Sequence, residues 1–176
     1  AGCFSSVFAG PVIAVSAAQF KNRLPSIVKP INVYFPDSGV QGEDLIRIFP
    51  DTALRSAVTA ALKSLRVDVS RGRVHNSDLK KVVRLTHDGS SGNNGRIIDL
   101  KGISRLSNLE ILSLPSNLIN DITQLQYLEE LHALNLGYNR VEDMGAVSNL
   151  KRLQYIVFNN NRIKSLKALR NLDELR

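Results

Sequence analysis

The chain has 176 residues, 43% hydrophobic and 22% charged, which excludes a disordered tail and a collagen-like fibre. Its net charge of +7 is spread thinly, +1 over residues 1–50, +4 over 51–100 and +2 over 101–176, without the dense basic stripe of a nucleic-acid surface. The single cysteine, Cys3, and three widely spaced histidines, His75, His87 and His132, offer neither a disulfide framework nor a zinc site.

Residues 1–36 contain no Asp or Glu, and the run from Cys3 to Ala18 is small and apolar. It closes on Val15-Ser16-Ala17 or Ser16-Ala17-Ala18, the small-residue spacing a signal peptidase requires. With Gly10 and Pro11 inside, it is short for a membrane-spanning helix. We read 1–18 as a signal peptide, with a mature chain starting near Ala18 or Gln19, and 19–45 as a linker. Two competing readings are a lipoprotein box at Ala1-Gly2-Cys3 and a buried element of the fold. The chain opens without methionine and stops at Arg176 inside an unfinished pattern, so it reads as a piece of a longer protein.

A small helical cap is expected over 46–81. Leu54, Val58, Leu62 and Leu65 follow helical spacing and predict a helix over 50–65. Asp51 is its N-cap, a carboxylate able to accept from the free amides of the first turn. A shorter helical turn is expected over 77–82, capped by Asn76 or Ser77. The two helices would cover the apolar end of the solenoid expected from residue 82 onward and the unpaired edge of its first strand.

From residue 82 to 176 the sequence repeats. Asn117, Asn139 and Asn161 are spaced by 22 residues, as are Leu106, Leu128, Leu150 and Leu172, and Leu109, Leu131, Leu153 and Leu175. The pairs Leu112/Leu114, Leu134/Leu136 and Ile156/Phe158 keep the same step. This is a leucine-rich repeat, and it predicts an α/β solenoid. In Leu-x-Leu both side chains point the same way from an extended segment. One such strand cannot bury its face alone, so the strands stack into a parallel sheet on the concave face. Each ladder Asn has donors and an acceptor for backbone groups that the turn leaves unpaired, so Asn117, Asn139 and Asn161 read as structural. A 22-residue unit leaves room for 3₁₀ turns or short helices on the outer side.

One period earlier, Val83/Leu85 stand 29 residues before Leu112/Leu114, whereas Leu100 stands 22 before Ile122. This alignment places seven extra residues within 87–96, whose Gly, Asn and Ser residues specify a mobile turn. Asp88, Asn93 and Asn94 lack the spacing and terminal Glu of a calcium loop.

The series Ile48-Phe49-Pro50-Asp51-x-Ala53-Leu54, then Asp78-Leu79 before Val83-x-Leu85-Thr86, then Ile98-Asp99-Leu100-x-Gly102-Ile103, resembles the N-terminal region of bacterial internalin-type proteins. There a small helical cap, sometimes likened to an EF hand, leads into 22-residue repeats. The resemblance covers roughly residues 46–176. It implies an exported, cell-surface protein that binds another protein through the concave face.

No nucleophile elbow, zincin motif, phosphate loop or dinucleotide fingerprint occurs, so we expect no enzyme, no catalytic residue, no cofactor and no metal. The partner is expected to be a protein and not a nucleic acid, with the membrane met only through a signal or anchor outside the fold. The outward-facing neighbours of the buried leucines are the candidate contact residues: Arg84, Thr86, Ile111, Ser113, Asn135, Tyr155, Val157 and Asn159, with Tyr138 at the edge. Tyr155 and Tyr138 are the natural anchors, because aromatics carry disproportionate binding energy. The competing reading is an intracellular scaffold or phosphatase-regulator-like adaptor, since 22-residue repeats also resemble those proteins.

Overall fold

The computed structural model describes residues 42–91 and 95–176. The stretch read as a signal, residues 19–41 of the expected linker and residues 92–94 of the expected loop lie outside the described residues. All described residues belong to one compact unit, Gly39–Arg176.

The cap begins earlier than its sequence suggests. Strand β1 (Glu43–Asp44) pairs antiparallel with β2 (Arg73–Val74), and helix α1 (Leu45–Ile48) follows it directly. Residues 43–45, expected as the end of a linker, are therefore part of the cap, with Leu45 buried. Helix α2 (Thr52–Ser64) starts at Asp51, whose carboxylate accepts from Leu54 N at 2.9 Å. It buries Ala53, Leu54, Val58 and Leu62, whose spacing gives one apolar stripe.

Leu65, expected in that stripe, is instead the C-cap and is 44% exposed. The chain turns away there because Arg66 takes a left-handed conformation (φ 59°). Val67 N then reaches Leu62 O at 3.0 Å and Arg66 N reaches Lys63 O at 2.9 Å, the two bonds of a Schellman stop. The second short helix, α3 (Asn76–Leu79), begins one residue before the expected start and ends three before the expected end. His75 precedes it without a side-chain cap bond, so neither Asn76 nor Ser77 is the cap.

The repeats supply strands β3 (Arg84–Thr86), β4 (Ile111–Ser113), β5 (Ala133–Asn135) and β6 (Tyr155–Val157), parallel and in chain order. Opposite them run 3₁₀ turns at Ile103–Arg105, Thr123–Tyr127, Gly145–Asn149 and Lys167–Leu169. Three of these turns are prepared by an aspartate two residues before an amide it accepts from: Asp99 from Lys101, Asp121 from Thr123 and Asp143 from Gly145, each at 2.8 Å. Between sheet and turns lies one continuous core running from Leu45 in the cap to Leu172. On β6, the last described strand, Ile156 is only half-buried against that core, as is Phe158 just after it.

The register corrects the alignment of the first repeat. Leu85 pairs with Leu112, not with Leu114, so the offset is 27 residues and the insertion is five residues rather than seven. Val83, expected to point inward, is 47% exposed. The position matching Leu114 is His87, whose amide donates to Ser113 O at 2.9 Å and whose Nε2 lies 3.0 Å from Gly95 O. Within β3 a slip of two residues leaves each side chain on its original face, because the strand period is two, whereas Val83 lies just before the strand. Arg84 and Thr86 thus keep their outward orientation despite the wrong offset.

The base of the inserted loop is built rather than loose. Gly89 N continues the pairing to Pro115 O at 3.0 Å, and a Cβ on Gly89 would fall 2.3 Å from Ser116 O. Asp88 accepts from Ser90 N and Ser90 Oγ, which holds its carboxyl below the usual carboxylate range.

Candidate protein-recognition face

The strand register arranges the outward side chains in two rows. Arg84, Ile111, Ala133 and Tyr155 form one; Thr86, Ser113, Asn135 and Val157 form the other. With strands about 4.8 Å apart, each row crosses roughly 14 Å of sheet. Arg84 carries the only charge in either row. Exposure is greatest on the two outer strands: Ile111, Ser113, Ala133 and Asn135 are half-buried, whereas Arg84 and Thr86 on β3 are exposed, as are Tyr155 (54%) and Val157 (43%) on β6.

Asn135 is partly committed, since its Oδ1 accepts from Gly137 N at 3.0 Å. Gly137 is itself buried beneath Asn159: a Cβ there would fall 2.7 Å from Asn159 Oδ1. Asn159 donates from Nδ2 to Asn160 Oδ1 at 3.1 Å. Tyr138 lies beyond the end of β5 and is 57% exposed. It stands about five strand residues along from the Tyr155 row, roughly 16 Å at 3.3 Å per residue, so the two aromatics mark opposite ends of the face.

Behind the face the three ladder asparagines tie each coil to the one before it. Asn117 Oδ1 accepts from Ile97 N at 2.8 Å, Asn139 Oδ1 from Ile119 N at 3.0 Å and Asn161 Oδ1 from Val141 N at 2.9 Å. Their amide nitrogens donate to carbonyls of their own turn and of the preceding coil: Asn117 to Pro115 and His87, Asn139 to Leu136 and Leu114, Asn161 to Phe158 and Leu136. One side chain therefore satisfies groups on two coils, which a backbone turn cannot do alone.

Twenty-two residues before Asn117 stands Gly95, which has no side chain to serve as a ladder rung. The cap holds the first coil through a different side chain, Asp51, whose Oδ2 accepts from Ile98 N at 2.9 Å and Asp99 N at 3.1 Å. The sequence marks Asp51 only as a helix cap, and its second duty has no local signal.

A further 22-residue series is visible only in the backbone. Ser116, Tyr138 and Asn160, each just before a ladder Asn, have φ of 59°, 57° and 56°. Asn tolerates that left-handed conformation, but a bulky residue such as tyrosine does so at a cost. The cap closes on the first coil through Gly102 (φ 92°), where a Cβ would meet Ile48 O at 2.0 Å, and through the Arg105–Glu43 ion pair. The guanidinium of Arg105 bonds Glu43 and holds its carboxyl below the usual range.

Among the described residues no group of three or more His, Cys, Asp or Glu is placed to hold a metal ion. No described helix is long and apolar enough to cross a membrane.

No protein-family model and no curated protein sequence matches this chain. Among solved structures it is similar to an internalin of Listeria monocytogenes, InlF, at 29% identity and a TM-score of 0.69, over 79% of this chain and 38% of that one. It is also similar to the functional domain of InlJ from the same organism, which includes a cysteine ladder, at 26% identity and a TM-score of 0.61, over 72% of this chain and 26% of that one. The chain thus spans well under half the length of either protein. With its parallel strands, 3₁₀ backs and asparagine ladder, it is a leucine-rich-repeat solenoid. Its capped 22-residue repeat is of the bacterial internalin type.

Proposed function

We propose that this chain is the protein-recognition module of an exported, cell-surface bacterial protein, engaged in adhesion or in contact with a host or neighbouring cell. The partner is a protein held on the concave face, with Tyr155 and Tyr138 as anchors and Arg84, Thr86, Ile111, Ser113, Asn135, Val157 and Asn159 around them. The observation that carries this reading is the two-row face itself, where Tyr155 and Val157 stay exposed on a sheet whose other side buries Leu85, Leu112 and Leu134. Large apolar and aromatic groups held out on a rigid sheet lose little conformational entropy on binding. Similarity to the Listeria internalins supports the surface role, as do the small-residue run and cleavage spacing of residues 1–18.

The test is a partner captured with the full-length protein, followed by Tyr155→Ala. We expect affinity to fall by about 2 kcal/mol or more, as at an interfacial hot spot, with an unchanged melting temperature. Affinity that survives this change and Arg84→Ala, but is lost on Lys151→Glu, would move the site to the convex side. Mass spectrometry of the exported chain should find an N-terminus near Ala18 or Gln19. An intact terminus recovered from cytosol would favour the scaffold reading instead.

A further inference from the structure

The outer edge of β3 presents backbone groups that the sheet leaves unpaired among the described residues. In the parallel pairing of β3 with β4, the groups that bond across are those of Val83, Leu85 and His87. Ile111 N reaches Val83 O at 3.1 Å, and His87 N reaches Ser113 O at 2.9 Å. The N–H and C=O groups of Arg84 and Thr86 therefore point to the other side of the strand. Among the described residues none of these four groups has a hydrogen-bond partner.

Helix α2 of the cap lies beside this edge, and a groove runs between them. Helix α2 drives Leu54, Val58 and Leu62 into the core below β3 and turns Ala57, Ala60, Ala61 and Ser64 toward the strand edge. These side chains are too short to close the gap. A cleft of about 360 Å³ remains between them and residues 81–86. Its lips are the exposed Leu65 and Val83.

The charge of this groove selects its occupant. It is lined by no Asp or Glu, only by Lys81 and Arg84. Lys81 is bound to Asp78 at 2.7 Å, whereas Arg84 has no ion-pair partner among the described residues. A second copy of the chain joined edge to edge would set Arg84 and Lys81 of both copies close together, and like charges across strands are destabilising. We infer that the edge of β3 receives an added strand from an acidic, extended segment of a partner protein. Its backbone pairs with Arg84 and Thr86, its apolar side chains rest on Leu65 and Val83, and a carboxylate meets Arg84. This is strand addition to an open sheet edge, in which main-chain bonds give affinity and flanking side chains give selectivity. The backbone edge acts independently of the aromatic anchors on the open face.

The test is hydrogen exchange on the isotopically labelled full chain with a capped hexapeptide of alternating valine and aspartate. Without peptide the Arg84 and Thr86 amides should exchange as exposed groups, and saturating peptide should slow them at least tenfold. N-methylation of alternate peptide amides should abolish that protection. The variant R84E, with an unchanged melting temperature, should lose at least fivefold in affinity for the aspartate peptide and gain it for a valine–lysine one. Three results would overturn the inference. These are amides already protected in the free protein, protection that rises with protein concentration alone, and equal binding of the N-methylated peptide. Loss of partner binding on Tyr155→Ala leaves this result untouched, so the two sites fail separately.

Discussion

Asn139 joins Ile119 N, Leu114 O and Leu136 O across two coils while only 7% exposed. Asn139→Ala strands these groups inside the stack and should cost roughly 1–3 kcal/mol. Asn139→Asp should be comparably damaging, because a carboxylate accepts but cannot donate to the two carbonyls. Denaturant melts of both variants check this, and a ligand-binding role would instead appear as lost binding at constant stability. One residue earlier, Tyr138 holds a left-handed backbone (φ 57°) that asparagine adopts more readily. Tyr138→Asn should therefore raise stability by about 0.5–1 kcal/mol while weakening partner binding. A stabilised variant that binds normally would remove Tyr138 from the recognition face.

Helix α2 is the element on which cap and repeats meet. Leu54 is fully buried on its core-facing side, and Leu54→Ala should cost on the order of 2–5 kcal/mol, depending on how far the cavity collapses. Asp51 works at both ends of the same joint, capping α2 through Oδ1 and holding Ile98 and Asp99 through Oδ2. Asp51→Asn keeps an acceptor for one partner but places a donor against the other. Its loss should approach the roughly 1–2 kcal/mol of a removed helix cap. Thermal melts of Leu54→Ala and Asp51→Asn against the parent measure both effects. A Leu54→Ala protein that melts like the parent would mean that α2 does not seal the solenoid end.

For the molecule as a whole, the single core from cap to last coil predicts one cooperative unfolding transition rather than separate melting of the cap. Calorimetry should show one peak, and hydrogen exchange should give α2 and β4 the same opening free energy. Acid should weaken the structure. Glu43, held down by its bond from Arg105, and Glu142, held down by its bond from Lys164, both have carboxyl pKa values lowered from the ordinary 4.5. A folded-state pKa below the unfolded one contributes stability above the unfolded value, and that contribution is lost as pH falls through the folded value. The melting temperature should therefore be insensitive to these pairs between about pH 6 and 8 and should decline below about pH 4.5. Both glutamates are solvated, so the slope from them should be shallow and should flatten further in salt.

The repeat was legible in the sequence because its causes are local. A 22-residue step of leucines and asparagines states which side chains point inward, that the strands are parallel and where each turn lies. Alternation along a strand preserves the facing of Arg84 and Thr86 even when the first coil is aligned two residues out. Asp51 as a helix cap and the Leu54-Val58-Leu62 stripe were readable for the same reason. Features that depend on distant backbone were not. The pairing of Leu85 with Leu112 is fixed by hydrogen bonds across an insertion, and only the assembled sheet selects it. The departure of Leu65 from the core follows from a left-handed turn at Arg66, a residue without the usual signature of that conformation. The second bonds of Asp51, the approach of Gly102 to Ile48 and the open edge of β3 exist only once the cap is seated on the first coil. Side-chain periodicity is a property of each short segment, whereas register, cap contacts and edges belong to the spacing between segments, which tertiary packing alone decides.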